Sequence, residues 1–173
     1  MNILIDVSHT SDKGIQDVLD VTSKAIVVAS HSNSRYICDN PRNLTDEQIQ
    51  AIAERGGMIG LSMHPTLVSW DNPNITNVIK HVIYIKNLVG PDHLGIGTDY
   101  VDYISDTFKH KIISMDPSGK IYRKKLSNYP EGLETVSKMG NLFRALKKEG
   151  LDDETINKIK GENIFNILKR ITY

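Results

Sequence analysis

Two stretches of the chain end in the same dipeptide. ILIDVSH at residues 3–9 and IVVASH at residues 26–31 each run through aliphatic side chains and stop at Ser-His. A third apolar run, MIGLSM at 58–63, is followed by His64, and a fourth, HLGIGTDY at 93–100, carries Asp99 near its end. Where parallel strands are joined by helices, functional groups collect at the C-terminal strand ends. On neighbouring strands, His9, His31, His64 and Asp99 would therefore share one mouth. Two imidazoles with a carboxylate nearby suit a divalent cation of the zinc type. The same groups could work as general acid and base without a metal, or each imidazole could simply hydrogen-bond a strand-end carbonyl. The recurrence of Ser-His favours a shared chemical role for His9 and His31.

The segment after His31, SNSRYICDNPRN, holds Arg35 and Arg42. A guanidinium offers a fork of donors matched to a carboxylate, and the segment alone does not say which arginine would use it. The other candidates are weaker. His81 lies in a helical pattern, His93 precedes a strand at its non-catalytic end, and His110 falls in a long irregular loop. Cys38 reads as a small apolar residue, and Trp70 as packing or a pocket wall. GIGTD is not a dinucleotide fingerprint, and neither a phosphate-binding loop nor a nucleophile elbow is present.

These residues need elements to position them. Strands are expected at residues 3–7, 25–29, 58–63 and 93–100. The intervening helices fall at 12–22, with Ser11 as N-cap, at 46–55, and at 75–89, ending at Gly90-Pro91. The second helix has the clearest start, because Thr45 and Gln48 form a T-x-x-Q capping box and Gly56-Gly57 stops it. Residues 100–133 are irregular, with a turn at 116–119 and KIYRKK at 120–125 as a hairpin arm. A loop of that length could act as a lid. Two further helices are expected at 133–149 and 154–169, the second capped by Asp152 or Asp153. Alternating strands and helices give an α/β class of parallel strands. Four βα units are half of a closed (β/α)₈ TIM-type barrel.

The bulk composition fits that class. The chain has 173 residues, 39% of them hydrophobic, enough for a real core. Its 21 basic residues equal its 21 acidic ones, so no global field recruits nucleic acid or an anionic membrane. A lone cysteine excludes an internal disulfide and suits a reducing cytoplasm. No apolar run reaches the ~20 residues of a membrane span, and the first residues lack signal-peptide form.

Five segments in order carry a family likeness: IDVSHTSD (5–12), ASHSNSRYICDNPRNLTDEQI (29–49), GGMIG (56–60), HLGIGTDY (93–100) and PEGLETVSKM (130–139). Together they resemble the C-terminal half of the membrane (renal) dipeptidase family of zinc metallopeptidases. The likeness extends over essentially the whole chain, so residues 1–173 are expected to form a partial barrel domain without its N-terminal half.

The resemblance implies a two-zinc barrel enzyme that hydrolyses dipeptides, often with a D-residue at the C-terminal position. It makes His9 and His31 ligands of one zinc, Arg42 the holder of the substrate carboxylate, and Asp99 a group near the metals and substrate amine that assists binding or proton transfer. The family's first-strand His-x-Asp pair and bridging glutamate have no counterpart here, leaving two of its five metal ligands. Asp99-Tyr100-Val101-Asp102 lacks the family's glycine, Thr135 stands for an aspartate, and His64 replaces an aromatic residue. The expectation is a fragment or split chain, inactive alone, that homodimerises or pairs with a complementary N-terminal half. The alternatives are a non-catalytic remnant or a small-molecule binding module of the same fold.

Overall fold

In a computed structural model, which describes residues 3–22, 25–101, 107, 111 and 129–172, four strands form one sheet in the order β1-β2-β3-β4. They are β1 (Ile5–Asp6), β2 (Val27–Ser32), β3 (Ile59–Leu61) and β4 (Leu94–Ile96), and every pairing is parallel. Helices α1 (Asp12–Val21), α2 (Asp46–Glu54) and α4 (Ile75–Val89) make the crossovers, and a one-turn helix α3 (Pro65–Val68) follows β3. After the long loop come α5 (Met139–Lys148), α6 (Asp153–Asn157) and α7 (Asn163–Thr172). Among the described residues no helix is long and apolar enough to cross a membrane.

Local chemistry sets the helix starts. Ser11 accepts from the Gly14 amide, the Thr45–Gln48 capping box forms in both directions, and Asn74 accepts from the Asn77 amide, each satisfying a donor left over by the first turn. Gly90, at φ 87°, ends α4 in a conformation that L side chains rarely adopt.

The sheet has two faces with different partners. Val27, Ala29, Ile59, Leu61 and Leu94 face the helices and join Ile15, Ile49, Ile52, Val82, Ile85, Leu142 and Leu146 in one core, each large side chain contributing roughly 1.5–3 kcal/mol by leaving water. On the opposite face Val28 and Met58 pack against Ile167 of α7. Beyond them that face is lined by Gly60, Gly95 and Gly97. A Cβ at Gly60 or Gly97 would land on the Ser30 carbonyl, and one at Gly95 on the Met58 side chain. The missing side chains let β3 and β4 curl tightly over β2.

Several boundaries differ from expectation. β2 runs on through His31 to Ser32, whereas β3 and β4 are shorter than predicted, stopping at Leu61 and Ile96, although the Gly97 and Met63 amides still donate to the Leu61 and Thr98 carbonyls. The 133–149 segment becomes helical only at Met139, after a 3₁₀ turn at Val136–Lys138. The expected 154–169 helix is broken by a π turn at Lys158–Glu162, where Gly161 is non-helical. There the Asn163 amide donates to the Pro91 and Leu94 carbonyls, fastening α7 to the start of β4. The turn at 116–119, the hairpin arm at 120–125 and His110 lie outside the described residues.

His81 is fully buried in α4. Its Nδ1 accepts from the Ser34 amide and its Nε2 donates to the Val68 carbonyl, so a neutral imidazole ties the β2 loop to α3 and α4. Burial, which outweighs the Val68 bond, lowers its pKa from 6.5 to about 4. The unfolded chain binds the proton first as pH falls. The stabilisation is therefore complete above pH 6.5 and lost toward pH 4, on the order of 3 kcal/mol.

Two measurements follow from this packing. Urea unfolding of the full chain should lose stability from pH 7 to pH 4.5. In His81→Leu, about 1–3 kcal/mol less stable at pH 7 because the Ser34 amide is orphaned, that decline should be shallower. Gly97→Ala should cost at least about 1–3 kcal/mol, since a backbone carbonyl cannot yield, whereas Gly95→Ala should cost less because the Met58 side chain can swing aside.

Candidate active site

The strand ends converge as the sequence suggests, by means that local sequence does not reveal. Between β2 and β3 the register advances from Ala29↔Ile59 to Ser32↔Leu61, so β2 carries one extra residue. This bulge spans Ser30 and His31 and re-aims both side chains at the end of the ladder. Among the described residues only two non-glycines have positive φ, His9 at 69° and Asp99 at 55°. Both are candidate site residues, each turned back over its own strand end at a cost of order 1–3 kcal/mol that the surroundings must cover.

The His9 and His31 rings lie 4.9 Å apart between centroids, tilted by 58°. Beneath them a carboxylate links the two strands. Asp6 Oδ1 accepts the backbone N–H groups of Ser8, 3.0 Å, and Ser30, 2.9 Å, while Oδ2 lies 2.5 Å from the Ser30 hydroxyl. Ser30 Oγ is also 2.8 Å from His31 Nδ1, and the His31 amide donates to Ser8 Oγ. Burial alone would raise the Asp6 carboxyl, but the hydrogen bonds from Ser30 and Ser8 hold it below the usual carboxylate range. His31 Nε2 is buried and has no hydrogen-bond partner among the described residues.

The two arginines separate cleanly. Arg35 forms a bidentate pair with Asp12, 2.9 and 2.7 Å, and donates to the Asn43 and Pro41 carbonyls. It pins its loop to α1 and, with Gln48, draws the Asp12 carboxyl down to about 2. Arg42 instead reaches the mouth, with Nη1 2.5 Å from His9 Nδ1. A guanidinium only donates, so His9 Nδ1 is the acceptor and its proton sits on Nε2. Burial, then the Arg42 charge and His31, lower the His9 pKa. The loop that presents Arg42 is held by buried amides: Asn40 and Asn43 donate to the Thr66, Leu67 and Cys38 carbonyls, and Asn33 exchanges hydrogen bonds with Ser62.

His64 is half-buried, with Nδ1 3.1 Å from Thr66 Oγ1. Burial lowers its pKa against the opposing pull of Asp99, and the charges of Arg42, His31 and His9 also act on it. His9, His31, His64, Arg42 and Asp99 are thus near enough for their charges to act on one another. Tyr129 supports the Asp99 turn, its hydroxyl accepting from the Val101 amide and donating to the Asp99 carbonyl. His81 and His93 lie elsewhere, His93 against the Gly57 carbonyl at the strand starts. Cys38 is buried with its thiol toward the Thr66 carbonyl, and Trp70 donates to the Asp39 carbonyl.

Sequence reasoning gave no role to Asp6, Ser8, Ser30 or Tyr129. The available signal was Asp6 itself, an acid interrupting an apolar strand two residues before Ser8. Among the described residues no three histidine, cysteine or acidic side chains group tightly enough to hold a metal. The two histidines suit a metal unequally: His31 presents an unpartnered buried nitrogen, whereas the lone pair of His9 is engaged by Arg42.

The chain is similar to known proteins over nearly its whole length. The chain is 30% identical to dipeptidase tcpJ of Claviceps purpurea over 173 residues, which is 99% of this chain and 35% of that protein. A metallo peptidase from Rhodobacter sphaeroides, solved with a phosphinate mimic of the dipeptide L-Ala-D-Ala, superposes with a TM-score of 0.79 at 27% identity, covering 98% of this chain and 43% of that one. An amidohydrolase from Pseudomonas aeruginosa superposes with a TM-score of 0.82 at 29% identity, covering 98% and 53%. The chain therefore spans about a third of the fungal dipeptidase and about half of each bacterial structure. The family model for membrane dipeptidase, peptidase family M19, matches residues 1–112, and the chain belongs to that family.

Proposed function

We propose that this chain carries the carboxylate-binding side and one histidine pair of a zinc-dependent dipeptidase. The observation that carries the reading is the facing His9–His31 pair, with a buried unpartnered Nε2 on one ring and Arg42 against the other. His9 and His31 would hold one zinc ion, which when bound polarises a peptide carbonyl and activates water. Arg42 receives the C-terminal carboxylate of a dipeptide in its donor fork. Asp99, whose left-handed turn is braced by Tyr129 and whose charge acts on His9 and His64, would bind the substrate amine or relay a proton. The Rhodobacter relative, solved with a mimic of L-Ala-D-Ala, supports that dipeptide as the first substrate to try.

Two imidazoles hold zinc only loosely, since catalytic sites normally supply three protein ligands. The remaining ligands come from a complementary N-terminal half, or from a second copy of this chain, pairing along the sheet edges at β1 and β4. We place the chain in the cytoplasm, where its buried Cys38 thiol stays reduced. A second reading, a non-catalytic remnant or binding module, draws on the lack of a three-ligand cluster among the described residues.

Zinc content and hydrolysis of L-Ala-D-Ala separate the two readings. The chain alone should bind zinc weakly and turn over little or no substrate. Mixed with the N-terminal half of a family member, it should gain zinc and activity, and no gain in either sinks the dipeptidase reading. In the reconstituted enzyme, His31→Ala should abolish zinc retention. Arg42→Lys, which keeps the charge but loses the fork, should raise KM about 10–100-fold with a smaller change in kcat.

A further inference from the structure

The two short contacts of the Ser30 hydroxyl constrain where its proton goes, the third neighbour, Ser8 Oγ, lying further off at 3.3 Å. Asp6 Oδ1 is filled by two backbone N–H donors, from Ser8 and Ser30, so this carboxylate is an acceptor built across two strands. Its Oδ2 lies 2.5 Å from Ser30 Oγ. A serine hydroxyl has one proton, and toward a carboxylate that proton is donated. Ser30 Oγ is then left with lone pairs, and the imidazole nitrogen 2.8 Å away, His31 Nδ1, must be the donor. An imidazole protonated on Nδ1 carries a bare lone pair on Nε2, the buried atom without a partner.

We infer that Asp6, acting through the Ser30 hydroxyl, is a positioning residue that fixes the Nδ1–H tautomer of His31 and so presents its Nε2 lone pair to the mouth. Ser8 completes the clamp by accepting the His31 amide at 3.0 Å, which holds the backbone of the bulge against β1. The two Ser-His dipeptides therefore have different tasks. Ser30 fixes a proton on the neighbouring ring, and Ser8 fixes the strand end that bears it. The histidines end in opposite tautomers, His9 protonated on Nε2 because Arg42 donates to its Nδ1, and His31 protonated on Nδ1. Of the two, only His31 keeps a lone pair that no hydrogen-bond donor engages among the described residues. The ionised state expected of Asp6, whose carboxyl is held low by these same bonds, agrees with this direction of donation.

The value of such a tautomer for catalysis rests on the zinc reading above, but the tautomer itself can be measured without metal. Two-bond ¹H–¹⁵N correlation spectra of ¹⁵N-histidine-labelled, metal-free full chain report which nitrogen of each ring carries the proton. His31 should show an unprotonated Nε2. Ser30→Ala keeps both backbone bonds to Asp6 Oδ1 and removes only the relay, so it should populate the Nε2–H form, and Ser30→Thr should restore the original pattern. Asp6→Asn should shift the tautomer as Ser30→Ala does and also lower stability. An Nε2–H tautomer in the unsubstituted chain, or a pattern unmoved by Ser30→Ala, overturns the inference. Zinc titration against a competing chromophoric chelator adds an independent readout. Loss of the outer hydrogen bond should weaken zinc about 10–100-fold in Ser30→Ala, and equal affinities would also overturn it. If no zinc binds even to the unsubstituted chain, the metallohydrolase reading fails, while the tautomer still decides the role of Asp6 and Ser30.

Discussion

Asp6 accepts backbone N–H groups from two adjacent parallel strands with a single oxygen, and the rest of the mouth is arranged around that contact. The bond crosses the β1–β2 pair, on the side of β2 away from the β3 bulge: β1 ends at Asp6, and the next β2 amide facing it, that of Ser30, turns to the Asp6 carboxylate instead of a backbone carbonyl. Burial and charge would ordinarily oppose a carboxylate at a strand end. Here it is repaid by several donors, and the pairing of strand ends no longer depends on regular register. The glycines of the concave face have a complementary part, because the Ser30 carbonyl approaches β3 and β4 where no Cβ stands in its way.

Features encoded within a few residues were legible in the sequence. The Thr45–Gln48 capping box and the Ser11 cap are relations between positions three apart, and they appear in the structure as read. The helix expected at 75–89 depends only on local periodicity and end signals, and it forms over Ile75–Val89. Features that depend on a partner far along the chain were not legible. The bulge exists only when β2 is laid against β3. The task of Arg35 is set by Asp12, which lies one βα unit earlier and takes its guanidinium with both carboxylate oxygens, holding the loop to α1; nothing within the loop sequence distinguishes it from Arg42, to which only the family likeness points.

The break at Gly161 shows the same limit in a helix. Amphipathic spacing continues across it, and the break lies two residues before Asn163, whose side-chain amide donates to the Pro91 and Leu94 carbonyls. Those partners lie 72 and 69 residues earlier, so the local pattern does not disclose them. At His9 and Asp99 a left-handed backbone is tolerated because the strand end, the Tyr129 hydroxyl and the neighbouring side chains leave few alternatives.

The contact between Arg42 and His9 Nδ1 makes the state of each group depend on the other. A protonated Nδ1 cannot accept from a guanidinium, so any change that moves the His9 ring proton from Nε2 to Nδ1 ends that bond. The dependence is reciprocal: whatever draws this guanidinium nitrogen aside returns the Nδ1 lone pair to the ring. One short hydrogen bond thus couples the tautomer of an imidazole to the direction of a neighbouring cationic side chain.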